Sequence, residues 1–227
     1  MIVAFEGIDG AGKTTLGEWL LVEINKYIPA EFCLTCWNSF LNYQEEELAD
    51  KFLKPRKVKM RHEMSPLASC LWHCADFMQR CASDVFPASK SGQGVLMDRY
   101  IYTAYVRDGL RGIDPTYVEN IYRYAPKPDL LIYLDADPVV AAERKSGYGF
   151  YESGEDFLQL PDSAATRKDF FIKFQGMCRQ RYLEVLPDYA IHVDGNAPQE
   201  EVRQKVLAIV LDKWRELKAD PPISRQG

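Results

Sequence analysis

The chain has no run of about 18 consecutive apolar residues, so a membrane span is not expected. It has no surplus of positive charge. Its 227 residues carry 28 Lys and Arg against 33 Asp and Glu, a formal net charge of −5. A general duplex-DNA binder normally shows a basic excess, so nucleic acid is not an expected partner. An anionic small ligand stays open, because a phosphate site needs a few local donors rather than a net positive sign. Histidine is scarce: His62, His73 and His192 are the three, and they show no metal-ligand spacing. Repeats and low-complexity tracts are also missing. A strand-like Ile2-Val3-Ala4-Phe5 follows the first residue directly, with no secretory leader in view. Together with unpaired cysteines, this reads as a reducing, cytoplasmic setting.

The six cysteines do not look like a disulfide framework. Cys70, Cys74 and Cys81 fall at helical spacing among Leu67, Leu71 and Met78, where cysteine acts as a small hydrophobe. Cys33-Leu34-Thr35-Cys36 has redox or zinc spacing, but no second such pair accompanies it. Buried strand-end thiols are the favoured reading over a metal or redox site. With 47% apolar and 27% charged residues, the composition is that of an ordinary globular protein. The length suits one domain over residues 1–227, with about five strands.

Short apolar runs alternate with helical patterns, which predicts an α/β architecture with a mainly parallel sheet flanked by helices. Strands are expected at Ile2–Glu6, Phe32–Cys36, Val95–Asp98, Asp129–Asp135 and Ala190–Val193. A helix from Lys13 carries Leu16, Leu20, Ile24, Tyr27 and Ile28 on one face and ends at Pro29. Residues 38–62 read as a charged, solvated segment. Residues 64–88 hold the longest helical pattern, with an apolar stripe of Leu67, Cys70, Leu71, Cys74, Phe77, Met78, Cys81 and Val85. Ser69, Trp72, His73, Asp76 and Arg80 form a mixed second face. A last helix starts near Pro198, and residues 221–227 read as a frayed tail.

The sharpest signal is Gly7-Ile8-Asp9-Gly10-Ala11-Gly12-Lys13-Thr14, which fits G-x-x-x-x-G-K-[ST] in full. A loop that wraps phosphates must turn its N–H groups inward, and glycine makes that turn cheaply. The helix that follows adds the positive end of its dipole. Gly7, Asp9, Gly10, Ala11, Gly12, Lys13, Thr14 and Thr15 are therefore the candidate set for a nucleoside triphosphate. Lys13 reaches the β- and γ-phosphates, and the Thr14 hydroxyl can ligate Mg²⁺. A strand before the loop and an amphipathic helix after it give the motif its required frame. Ligands of open parallel sheets bind beyond the carboxyl ends of the strands. Asp98-Arg99-Tyr100 stands at such an end, where a carboxylate can hold water on the metal and an arginine can fork onto a phosphate.

These stretches, in order, resemble the thymidylate kinases. Phe5-Glu6-Gly7-Ile8-Asp9-Gly10-Ala11-Gly12-Lys13-Thr14-Thr15 is similar to the family's opening, and Asp98-Arg99-Tyr100 to its D-R-Y/H motif. Leu134-Asp135-Ala136-Asp137-Pro138, with Ala142 and Arg144, is similar to its next signature. Tyr151-Glu152, Phe174-Gln175 and Arg181-Tyr182 resemble its lid and post-lid helix. The resemblance implies a three-layer P-loop NTPase fold, with a lid at about residues 145–170. It implies γ-phosphoryl transfer from ATP, with Mg²⁺, to a nucleoside monophosphate such as dTMP or a related pyrimidine deoxynucleotide. It also implies a homodimer. Its catalytic set maps to Lys13, Asp98, Arg99 and Arg144, with Thr14 and Asp98 at the metal and Asn196 near adenine. Its acceptor set maps to Asp9, Trp72, His73, Phe77, Arg99 and Tyr100.

Three departures leave the acceptor open. The family carries an arginine in its P-loop or its lid. Here Gly10 fills that P-loop position, and residues 146–166 contain no Lys or Arg. Arg144, Lys145, Arg167 and Lys168 flank the bare stretch and are the candidate replacements. The base-contacting arginine aligns with Phe77, four residues after His73; the alternative is that Phe77 is core and the register lies one turn away. Trp37-Asn38-Ser39-Phe40 lacks the family's acidic-Pro-Gly turn. A P-loop deoxynucleoside kinase and a catalytically weak ATP-binding homologue are the alternative functions.

Overall fold

A strand that is apolar on both faces belongs inside a sheet covered on both sides. Ile2–Glu6 (β1) is such a strand, and all five of its residues are buried. The computed structural model describes residues 1–28, 32–36, 64–160 and 165–219. Within them the other strands are Phe32–Cys36 (β2), Gly94–Asp98 (β3), Leu130–Asp135 (β4) and Ile191–Asp194 (β5). They form one sheet in the order β2-β3-β1-β4-β5, with β1 at its centre. All four neighbouring pairs are parallel, which is the α/β sheet expected from the alternating pattern. Parallel neighbours require long crossovers, and the helices supply them.

Register sets the working edge. Phe5 lies opposite Asp98 and Glu6 opposite Tyr133. The ends of β3 and β4 therefore flank the loop that leaves β1. Lys13–Tyr27 (α1) buries Leu16, Leu20 and Ile24 and packs against Gln199–Ala219 (α9). Trp214 of α9 meets Phe32 at 5.1 Å between ring centroids, closing the core beside edge strand β2. Arg167–Val185 (α8) packs against Ile101–Leu110 (α4), Pro138–Glu143 (α6) and Phe150–Ser153 (α7). Thr166 and Asp169 cap α8 reciprocally, and the Asp137 carboxylate caps α6 at 2.8 Å from the Val139 N–H. Pro115–Ile121 (α5) is capped in the same way by Asp114.

The long pattern at 64–88 becomes Pro66–Arg80 (α2), a π turn at Cys81–Val85, and Phe86–Lys90 (α3). Its expected apolar stripe needs correction. Leu67 and Leu71 are exposed, while Asp76 and Arg80, expected on the mixed face, are wholly buried. The buried face is thus turned toward Cys70, Asp76, Phe77 and Arg80. An (i, i+4) pair at 3.0 Å between Arg80 Nε and the Asp76 carboxylate makes that burial tolerable, because each charge meets its partner.

All six cysteines are free thiols. Cys33 is exposed rather than buried, which corrects the expectation for the C-x-x-C pair. Residues three apart on a strand point to opposite faces, so Cys33 and Cys36 cannot share one metal or one disulfide. No helix among the described residues is long and apolar enough to cross a membrane. The segment 38–62, the Trp37–Phe40 departure and the tail 221–227 lie outside the described residues.

Candidate active site

The loop between β1 and α1, the candidate phosphate cradle, is closed by two glycine turns and Lys13. Gly12 caps α1 with φ 95°, and Gly10 turns the loop at φ 81°. Both angles lie in the region that side chains rarely adopt. At Gly10 space is also short: a Cβ would sit 2.5 Å from the Ala141 carbonyl oxygen. This chain's own fold therefore disfavours an arginine at that loop position. Lys13 folds back over the loop, donating from Nζ to the Gly7 carbonyl at 2.9 Å and the Ile8 carbonyl at 2.7 Å. Burial, with the charge of Arg99, draws its ammonium down to about 7. Phosphate oxygens at that point would restore its charge and replace the two carbonyls. Thr14 and Thr15 are exposed at the helix start, and Ala11 packs inward.

Thr14 Oγ1 donates to Asp98 Oδ2 at 2.5 Å, joining the helix start to the end of β3. The other oxygen, Asp98 Oδ1, is buried with no hydrogen-bond partner among the described residues. An orphaned carboxylate oxygen beside a hydroxyl fits a hard cation or its bound water. The donor set is thus compatible with Mg²⁺.

Arg99 stands out in the backbone. Its φ of 68° is the one positive value at a non-glycine among the described residues, a strain of about 1–2 kcal/mol. Two anchors hold it. Its N–H donates to the Phe5 carbonyl at 3.0 Å. Glu6, fully buried, then accepts from the N–H groups of Tyr100 at 3.0 Å and Thr103 at 2.9 Å. It also accepts from the hydroxyls of Thr103 and Tyr182 at 2.7 and 2.9 Å. Tyr100 gives α4 no side-chain cap of its own, so Glu6 does that work from the neighbouring strand. Burial raises the Glu6 carboxyl above its ordinary value, although these donors and Arg99 oppose the rise.

The Arg99 guanidinium is aimed at the loop, where its Nη2 pairs with Asp9. A second guanidinium arrives at the same carboxylate. Arg107 Nη2, from α4, takes the other Asp9 oxygen. Gln175 of α8 braces Asp9 twice, accepting from its N–H at 2.9 Å and donating to its carboxylate at 3.0 Å. Burial alone would raise the Asp9 carboxyl. Arg107, Arg99 and Lys13 outweigh it and hold the group well below the usual carboxylate range. The sequence motifs do not single out Arg107. A signal for it does exist: Arg99, Thr103, Arg107 and Arg111 recur every four residues, one stripe along a helix.

The remaining candidates divide. Arg144 Nη1 donates to the Gly195 carbonyl at 2.7 Å, and Asn196 Oδ1 accepts from the Asp137 N–H at 2.8 Å. These two lie together beyond β4 and β5, across from Asp98 and Arg99. Trp72 is exposed and His73 half-buried on α2. Phe77 and Tyr100 are corrected as acceptor contacts, because neither has exposed surface. Phe77 packs edge-on against Tyr100 and Tyr122, with centroids at 5.0 and 5.5 Å, and is a core residue. Two of the cations that flank the stretch without Lys or Arg meet acids inside it: Lys145 pairs with Glu152 at 3.1 Å and Arg167 with Glu155 at 2.5 Å. Arg111 forks onto Asp156 and lies over Phe157 and Phe174.

Comparison with known proteins agrees with this geometry. The thymidylate kinase family model matches residues 5–206. A probable thymidylate kinase 2 of Saccharolobus solfataricus is 31% identical, covering 93% of this chain and 97% of that protein. A thymidylate kinase of Leptospira borgpetersenii is 30% identical, covering 93% of each. The crystal structure of thymidylate kinase from Ehrlichia chaffeensis superposes with a TM-score of 0.65 at 17% identity. It covers 92% of this chain and 98% of that one, a likeness of fold. The sheet order and these matches lead to one conclusion: the chain belongs to the thymidylate kinase family.

Proposed function

We propose that this protein transfers the γ-phosphoryl group of ATP to a pyrimidine deoxynucleoside monophosphate, with dTMP as its acceptor. The observation that carries this is the meeting of two devices at one sheet edge. A loop with Lys13 folded over it is shaped for a triphosphate. Arg99, held at strained φ and paired to Asp9, faces it from the next strand. A nucleoside kinase has no need of a cation for an acceptor's phosphate, so this pairing favours a monophosphate.

The chemistry follows from placement. Phosphoryl transfer demands little covalent help; it demands alignment and cations around the transferring group. In this scheme the loop N–H groups and Lys13 hold the β- and γ-phosphates. Arg99 binds the acceptor's phosphate and brings its oxygen into line. Thr14 and Asp98 would hold Mg²⁺, which when bound neutralises charge on the donor phosphates. Glu6 keeps Arg99 in position by fixing the start of α4. Arg144 and Asn196 line the adenine side of the donor. The direct test supplies Mg-ATP with a panel of nucleoside monophosphates and follows ADP release. ADP formed with dTMP above all other acceptors supports the scheme. Folded protein that binds ATP but forms no ADP with any monophosphate overturns it.

A further inference from the structure

We propose that Arg107 is a second phosphate-binding residue. With Arg99 it forms a two-guanidinium clamp on the acceptor's phosphate, and Asp9 is the spacer that aims both side chains. This rests on the proposed function and adds a residue to its acceptor subsite.

Geometry comes first. The two oxygens of one carboxylate each take one guanidinium, so Arg99 and Arg107 are separated only by Asp9. A guanidinium has five donor hydrogens. Arg107 makes no second hydrogen bond from its side chain among the described residues, and its side chain keeps 21% of its surface exposed. Donors therefore remain for a ligand. The side chain is also pre-positioned. It lies over the Phe174 ring at 5.7 Å, and Arg111 lies over the same ring at 5.1 Å. Phe157 packs edge-on against that ring at 5.5 Å. Gln175 locks Asp9 from behind. Little ordering remains to be done when an anion arrives.

Charge supplies the reason. A phosphate monoester carries about −1.5 to −2 near neutral pH. Arg99 alone leaves it anionic just as a second anion, the γ-phosphoryl group, must approach. The bare stretch 146–166 offers no cation, and Gly10 has no room for one. Lys145 and Arg167 already face Glu152 and Glu155, Arg144 is turned to the Gly195 carbonyl beyond β5, and Lys168 is exposed on α8. Arg107 stands beside Arg99 and supplies the missing charge. A purely structural role, holding Asp9 and Phe174, would instead serve every ligand equally.

Removing the acceptor's phosphate separates these two roles. Arg107→Met and Arg107→Lys are titrated with dTMP and with thymidine, without ATP, alongside thermal melts. The clamp requires the dTMP Kd of Arg107→Met to rise about tenfold or more, with thymidine unchanged within about twofold. In turnover, KM for dTMP rises and KM for ATP does not. Arg107→Lys keeps the charge but loses the fork, so its dTMP loss is smaller. If the Met variant does not fold, the Lys variant alone must still weaken dTMP and spare thymidine. Equal weakening of dTMP and thymidine, or no weakening of dTMP, overturns the clamp and leaves the proposed function standing. Wild-type protein that neither binds nor phosphorylates any monophosphate overturns both.

Discussion

Asp108 sits on α4 between Arg107 and Arg111 and is 4% exposed. Burial pushes its carboxyl up from 3.8 to about 6, against a hydrogen bond from Cys70 and the charges of Arg111 and Arg107. Its Oδ2 meets no donor among the described residues. A rise of about 2 units corresponds to about 3 kcal/mol between the two protonation states. The sign follows from proton binding. Between about pH 4 and pH 6 the folded state holds this proton and the unfolded state has released it, so stability falls as pH rises through that window. Above about pH 6 the cost is fully present. Asparagine carries no charge to desolvate, but its buried amide lacks an acceptor and costs about 1–2 kcal/mol at every pH. Asp108→Asn should therefore be less stable than wild type near pH 4 and more stable near pH 7.5, the difference shifting by about 2.4 kcal/mol between them. Urea denaturation of both proteins at several pH values reads this directly. A difference that stays constant across the range would refute the reasoning.

Three further outcomes test the site and its support. Arg99→Ala should raise KM for the acceptor far more than KM for ATP; equal losses would contradict its placement opposite the donor loop. Gly10→Ala combines a φ of 81° with a Cβ 2.5 Å from the Ala141 carbonyl. It should weaken ATP binding by about tenfold or more, since a strain of about 1–2 kcal/mol and the clash both fall on the cradle. Phe77→Ala should cost about 3–5 kcal/mol by denaturation. Relative rates on dTMP and dUMP should not change, because Phe77 has no surface for a base to touch.

Much of this architecture is legible in the amino-acid sequence. The run Ile2–Glu6, the glycine-rich loop and Lys13 report one strand, one turn and one helix, each from local chemistry. Asp98 and Arg99 are legible because they end an apolar run, and such ends carry ligands in parallel sheets. What escapes depends on tertiary rotation. Periodicity says that α2 has an apolar face but not which residues lead it. A buried Arg80–Asp76 pair turns Leu67 and Leu71 outward. Phe77 reads both as part of the apolar stripe and as an acceptor contact, and the structure takes the first, with Phe77 in the core. Glu6 reads as the end of a strand, yet it organises the start of α4 from the neighbouring strand. The spacing of Arg99, Thr103, Arg107 and Arg111 hints at Arg107, but its partner stays hidden because Asp9 lies 98 residues away along the chain.

The most direct measurement offers the enzyme dTMP and thymidine together in equal amounts with Mg-ATP, and identifies the products by mass. An acceptor site built around Arg99 should form dTDP from dTMP and leave thymidine unreacted. Conversion of thymidine to dTMP, with no dTDP formed, would contradict it.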